Sequence, residues 1–348
     1  GEAQADSRYL TQRPGWVVFP LDGPVISIVD GGDRGRGASG DWSGQTRTVD
    51  DGLWSPALIG ALRELKMQSA RIGVARLQGV LRDAEGDVSY TTLERVRQAF
   101  PQARFESAAE SMMRVKLVRG QEEIDAMALA AEASERGLRA LFRTARPGVL
   151  QKDVWIAVFD AMTSATGETP ARVALRAGDE ANTSGGVPLL EPLRAGAVMN
   201  QEIAARVLGY GAQVNHSVCV GAPAPSDWQA AGQFCIDLFH ELVEWVKPGK
   251  RVMDLCRLYA DKARARSPEL ALRVLFHTAG LGDSPRMGLT RSETPDLVLE
   301  PTMVFTLKPR VAIRGAQPTA QFGDPILVTQ SGARRLGRRK LEVLTLSG

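Results

Sequence analysis

Several features that would assign this chain to a known class quickly are missing from it. The three cysteines, Cys219, Cys235 and Cys256, form no CxxC pair, and an odd count leaves no complete disulfide framework. A reducing, cytoplasmic setting is expected. The opening GEAQADSRYL has no apolar core to act as a signal peptide, and no run is long enough to span a bilayer. The net charge of +3 is small for 348 residues, so neither nucleic acid nor a membrane is implied as a partner. Gly31, Gly32, Gly35 and Gly37 do not space as GxGxxG before a helix, which removes a dinucleotide site. His240 begins HExxE rather than HExxH, so no zincin site follows.

What is present is ordinary in amount and informative in order. With 44% hydrophobic and 24% charged residues, the chain has material for two domains, each with its own core. The first, placed at 1–112, alternates short strands and helices. GWVVFP and PVISIVD read as strands about an Asp-Gly turn, and residues 70–74 and 104–108 as two more. Helices are expected over 56–65, capped by Ser55, and over 90–100. The glycine-rich stretch 31–44 reads as a loop, with Arg34, Arg36 and Trp42 either lidding a site across a dimer or lying on an ordinary surface. This is an α/β layer domain.

From 113 to 348 the pattern is different. A long amphipathic helix over 121–144 stops at Arg146-Pro147-Gly148, and a second runs from about 152 to 165. The same sentence is written again later, with a helix over 226–246, then Lys247-Pro248-Gly249, then a helix from Met253. Each helical pair leads into sheet material, which predicts an internally duplicated α+β domain with a site at the pseudo-twofold seam. The stretch Glu191–Gly221 organises this domain as two strands turning at Gly209–Tyr210. Strand alternation places Asn200 and Glu202 on one face, and Gln213 and Asn215 on one face. Such groups either form a satisfied core network or face a ligand.

These elements, together with SRYLT, RVKLVRGQEEIDAM, GYGAQVNHSVCVG, TAGLG, LEPTMVFTLKP and FGDPILVTQSGARRLG, resemble the creatinase, prolidase and aminopeptidase P family. The resemblance covers nearly the whole chain and implies a pita-bread catalytic domain behind a smaller α/β domain, usually in a homodimer. It also implies that the chain starts inside the first domain, because the family's helix and strand before SRYLT have no counterpart. Family metallohydrolases hold two divalent ions with two Asp, one His and two Glu. Those positions fall here on Glu202, Gln213, Ala279, Lys308 and Gly323. Only Glu202 is still an anionic ligand, so no metal and no other cofactor is expected.

Lys308 is the most informative of these substitutions. It follows the apolar strand residues Val304–Leu307, where an unpaired ammonium is expensive. The resemblance puts positions 202 and 308 on the same metal pair, so the Lys308 ammonium is expected to pair with Glu202 and to stand roughly where an ion is lost. His277, two residues before the family's histidine position, is a candidate acid or base or else a core histidine. Tyr210, Gln213, Asn215 and His216 are candidates for lining the site, and Arg286, Arg310 and Arg314 for holding a substrate carboxylate. The run Arg334 to Lys340 reads as a solvated tail. Creatinase sets a family precedent for hydrolysis without metal, although its histidine and its xEP glutamate are absent here. The expected function is a metal-independent hydrolase or lyase of a small carboxylate-bearing molecule, with Glu202 or His277 as base and Lys308 stabilising negative charge. A non-catalytic pseudopeptidase and a residual Xaa-Pro metallopeptidase are the alternatives.

Overall fold

The structure is a computed structural model that describes residues 15–31, 44–78, 86, 88–178, 190–266, 270–278, 286–287, 297–313 and 319–347. The SRYLT segment, Arg34, Arg36, Trp42, Ala279 and Arg314 lie outside the described residues. The chain divides into two compact units, Gly1–Arg114 and Val115–Gly348.

In the first unit, β1 (Trp16–Val18) pairs antiparallel with β2 (Ile26–Asp30), which pairs parallel with β3 (Gln45–Val49). A separate parallel pair joins β4 (Arg71–Val74) to β5 (Arg104–Ser107). Helix α1 runs over Trp54–Glu64 and α2 over Tyr90–Ala99. Leu58 and Leu62 of α1, with Val96 and Phe100 at the end of α2, close one core with Ile26 and Ile28. That is the i, i+4 stripe of an amphipathic helix against apolar strand residues. Ser89 caps α2 by accepting from the Thr92 amide at 3.4 Å. Ser55 does not cap α1; the helix begins one residue before it and buries it in the first turn. Helix α3 (Ala109–Leu117), unassigned in the sequence, carries the division between the units.

The second unit repeats itself. Helices α4 (Gln121–Thr144) and α5 (Gln151–Thr166) precede β6 (Arg172–Ala177), β7 (Val198–Val207), β8 (Tyr210–His216) and β9 (Val218–Val220). Helices α6 (Ser226–Trp245) and α7 (Val252–Arg266) precede β10 (Leu270–Thr278), β11 (Arg286–Met287), β12 (Val304–Ile313) and β13 (Ala320–Val328). Two short strands follow, β14 (Ala333–Arg335) on β13 and β15 (Leu344–Leu346) on β9. The resulting ten-stranded sheet runs β11-β10-β12-β13-β8-β7-β9-β15, with β6 also on β7. Its middle reads β10-β12-β13 against β8-β7-β6, so a pseudo-twofold passes between β13 and β8. Those strands meet antiparallel at Phe322–His216 and Gly323–Asn215.

Backbone hydrogen bonds carry the duplication more sharply than the motifs do. Gly148 donates to Leu193 and Leu193 to Val149; in the second half Gly249 donates to Leu299 and Leu299 to Lys250. Isolated bridges repeat the match, Leu150 with Pro192 and Arg251 with Val298. One face of β7 and β8 is sealed by α4 and α5 through Leu138, Leu141, Val158, Met162, Met199, Ile203 and Val214. Ser134 fixes α4 to this face, accepting from the Ala205 amide at 2.7 Å and donating at 2.8 Å to the Ala212 carbonyl.

The β7–β8 turn sits one residue earlier than its sequence suggests, at Leu208-Gly209, with φ of 51° and 81°. Two successive left-handed residues make the turn that matches strand twist. Glu168 ties it down, accepting from the Leu208 and Gly209 amides at 2.5 and 3.0 Å. Leucine in this conformation costs about 1–2 kcal/mol and asparagine much less. Leu208→Asn is therefore expected to raise stability by about 1 kcal/mol in urea unfolding, and a destabilised variant would refute the turn assignment.

Candidate functional site

Alternation divides the side chains of the central strands between two faces. On β7, Met199, Ile203 and Ala205 enter the helix-side core, leaving Asn200 and Glu202 on the other face. On β8, Val214 enters the core, leaving Gln213 and Asn215 opposite. Glu202 lies nine residues after Leu193, and Lys308 nine after Leu299, so the two occupy equivalent places in the duplicated halves. They meet: Lys308 Nζ donates to Glu202 Oε1 at 2.7 Å, with side chains only 4% and 6% exposed.

The reach deserves a physical account, because β13 and β8 lie between β12 and β7. At normal strand spacing a flat sheet would hold the outer two about 14 Å apart. A lysine arm spans that gap only over a curled sheet and a low residue. Gly323 is that residue, opposite Lys308 on β13: a Cβ there would lie 2.5 Å from Lys308 Cβ and 3.0 Å from its Cα. The absent side chain at position 323 and the lysine at position 308 therefore belong together.

Arg172 of β6 completes the group. Its Nε donates to Glu202 Oε2 at 2.8 Å, while its side chain remains 39% exposed. The sequence reading did not single it out. The available signal was Arg172 and Arg176 at alternate-face spacing on a strand that is otherwise apolar, RVALRA.

The other nominated residues fall into three sets. Gln213 donates to Asn215 at 3.2 Å, Asn215 to the Gln201 carbonyl at 2.7 Å, and Arg310 Nε to Thr319 Oγ1 at 3.0 Å. Asn200 donates to the Thr319 carbonyl at 2.8 Å and accepts from Ser217. This is a paired polar layer beside the Glu202–Lys308 bond. His277 and Arg286 are register partners of each other, and His277 is also opposite Thr306 of β12.

Tyr210 and His216 share the helix-side parity of Ala212 and Val214, so the structure places them away from Glu202 and Lys308. Burial, then the hydrogen bond with Glu123, raises the Tyr210 phenol above its ordinary pKa. His216 lies between Phe142 and Phe322, with ring centroids at 5.3 and 5.0 Å, and its Nε2 is 2.9 Å from the Glu342 carbonyl.

A further correction concerns the supposed solvated tail. Arg335 and Arg339 turn inward onto Asp324, which is wholly buried; the Arg335 Nε bond is 2.8 Å. Glu135 of α4 accepts from the Arg338 and Arg339 amides at 2.7 and 2.8 Å. Arginine spacing alone resembled a charged surface run, whereas the carboxylates that draw it inward are distant in sequence.

The residues present do not fit a pair of divalent ions. Glu202 is the one carboxylate among the four described positions that the resemblance equates with ligands, and an ammonium and a guanidinium already hold it. No group of three His, Cys, Asp or Glu able to hold a metal occurs among the described residues. The three cysteines are buried and unbonded, with burial raising the Cys235 thiol to about 12 and Cys256 to about 11. No described helix is long and apolar enough to cross a membrane.

A duplicated, curled sheet with helices on one face is the pita-bread architecture, and solved structures share it. The X-Pro aminopeptidase of Thermotoga maritima MSB8 superposes with a TM-score of 0.81 at 17% identity, over 99% of this chain and 94% of its own. A Xaa-Pro dipeptidase from Bacillus anthracis gives 0.79 at 17% identity, over 99% and 93%. In sequence, a Xaa-Pro dipeptidase of Pyrococcus furiosus is 22% identical across 75% of this chain and 74% of its own length. Metallopeptidase family M24 matches residues 125–330, and the chain belongs to that family.

His216 supplies a pH test of this placement. Burial first, then Arg339 and Arg335, lowers its pKa to about 3, against the upward pull of the Glu342 carbonyl. The unfolded chain takes up this proton near 6.5 and the folded chain only near 3. Stability from this group is thus complete above pH 6.5 and is lost as pH falls toward 3. The slope is about 1.4 kcal/mol per pH unit. In urea unfolding at pH 7.5, 5.5 and 4.5 (about one to two units either side of the free-histidine value), His216→Gln should lose stability less steeply than the wild type. Parallel pH profiles would contradict a buried neutral imidazole.

Proposed function

We propose that this M24 member works without divalent metal, as a hydrolase or lyase of a small carboxylate-bearing molecule. The supporting observation is the Lys308–Glu202 bond at 2.7 Å, which joins equivalent positions of the two halves by protein charges alone. In this reading Glu202 is the base and Lys308 stabilises negative charge developing on the substrate, the electrostatic part of a metal ion's task. Arg310 and Arg172 supply guanidinium groups suited to a carboxylate. His277 remains a candidate acid, supported by a register that sets it opposite Thr306, on the strand of Lys308.

One observation favours a second reading, a non-catalytic binder on the same face. Both oxygens of Glu202 already accept from cations, which competes with proton abstraction. The name of the Pyrococcus furiosus relative places Xaa-Pro dipeptides among the compounds to try.

The test combines thermal shift and product detection for N-acyl amino acids, dicarboxylates and Xaa-Pro dipeptides, in EDTA and with Mn²⁺. A ligand at one hundred times its Kd should stabilise the fold by about 2.7 kcal/mol. The proposal expects at least one compound to be turned over equally in both buffers, with turnover lost in Lys308→Gln. Stabilisation without turnover supports the binder, and turnover that requires Mn²⁺ overturns the metal-independent reading.

A further inference from the structure

The residue that decides the orientation of the bound molecule is one that neither the motifs nor the family positions single out. Thr306 is fully buried on β12, and its Oγ1 has no hydrogen-bond partner. It stands two residues before Lys308 on the same strand, so alternation gives the two the same face. Its register partner on β13 is Pro325, which has no N–H to offer. A buried hydroxyl without a partner is a net loss to stability, and valine has the same shape and an equal liking for strands. The fold alone gives no reason for a threonine at this position.

We infer that the Thr306 hydroxyl is a substrate-binding group, donating to the carboxylate that the Lys308 ammonium attracts. This rests on the proposed reading that the site takes a carboxylate-bearing molecule, and it adds the donor that fixes that group's direction. Along a strand the two residues stand about 7 Å apart. A short hydroxyl and a long ammonium arm can converge on one carboxylate from that separation. Lys308 supplies positive potential, which is not directional; the hydroxyl supplies geometry. A bound carboxylate also removes the cost of the orphaned donor, so binding recovers stability that the ligand-free chain forgoes.

Thr306→Val and Thr306→Ser separate these roles, assayed on the full chain by thermal shift and calorimetry. The probe is whichever N-acyl amino acid or Xaa-Pro dipeptide stabilises the wild type. The valine variant should melt about 2–4 °C higher than wild type without ligand. It should bind the probe about tenfold or more weakly, the loss expected for a hydrogen bond to a charged group. The serine variant, which keeps the hydroxyl, should retain wild-type binding. Unchanged affinity in Thr306→Val overturns this inference and leaves the proposed function standing. A valine variant less stable than wild type, or unfolded, means that the hydroxyl is bonded within the fold, and this also overturns it. If no carboxylate stabilises the wild type, the inference and the proposed function fall together.

Discussion

A single buried ion pair, Lys308 with Glu202, sets the terms for the catalytic-type unit. Removing a lysine or a glutamate from water costs several kcal/mol per ion, so neither is tolerable alone in this face of the sheet. Deleting one partner of such a pair costs about 3–5 kcal/mol, because the other is left charged and buried. The two positions are equivalent in the duplicated halves, and their charges are opposite. The pair therefore joins the halves across the pseudo-twofold and requires the sheet to stay curled. Gly323 is part of the same constraint, since any side chain there meets Lys308 at its Cβ.

Around this bond the unit follows the rule that buried polar groups find partners. Gln213, Asn215, Asn200, Ser217, Thr319 and Arg310 bond to one another or to backbone. Thr306 is the exception on the lysine's own strand. On the opposite face, Asp324 and Glu135 draw Arg335 and Arg339 inward and fix the C-terminal segment to β13 and α4. Asp324 and Gly323 are neighbours in sequence and alternate in face. One strand thus carries the clasp on one side and clears the lysine's path on the other.

Much of the fold was legible because its signals are local. The 121–144 helix is amphipathic throughout and ends at a Pro-Gly stop, and the second Pro-Gly turn announces the repeat. Pairing of Lys308 with Glu202 was also legible, since a lysine at the end of an apolar strand requires an anion. What escaped depended on distant partners. The arginines at 335 and 339 read as solvated until Asp324 and Glu135 are seen beside them. Tyr210 and His216 sit in a motif with site residues, yet one step of strand parity sends them to the helix side. Arg172 comes to Glu202 from a strand paired with β7, and no motif marks it.

The central claim is that protein charges occupy the place where relatives of this fold hold divalent ions. Calorimetric titration of chelator-treated protein with Mn²⁺ and Zn²⁺, beside Glu202→Gln, addresses it directly. The account predicts no stoichiometric uptake by the wild type and no change on substitution. Tight binding of one or two equivalents by the wild type, lost in Glu202→Gln, would contradict it.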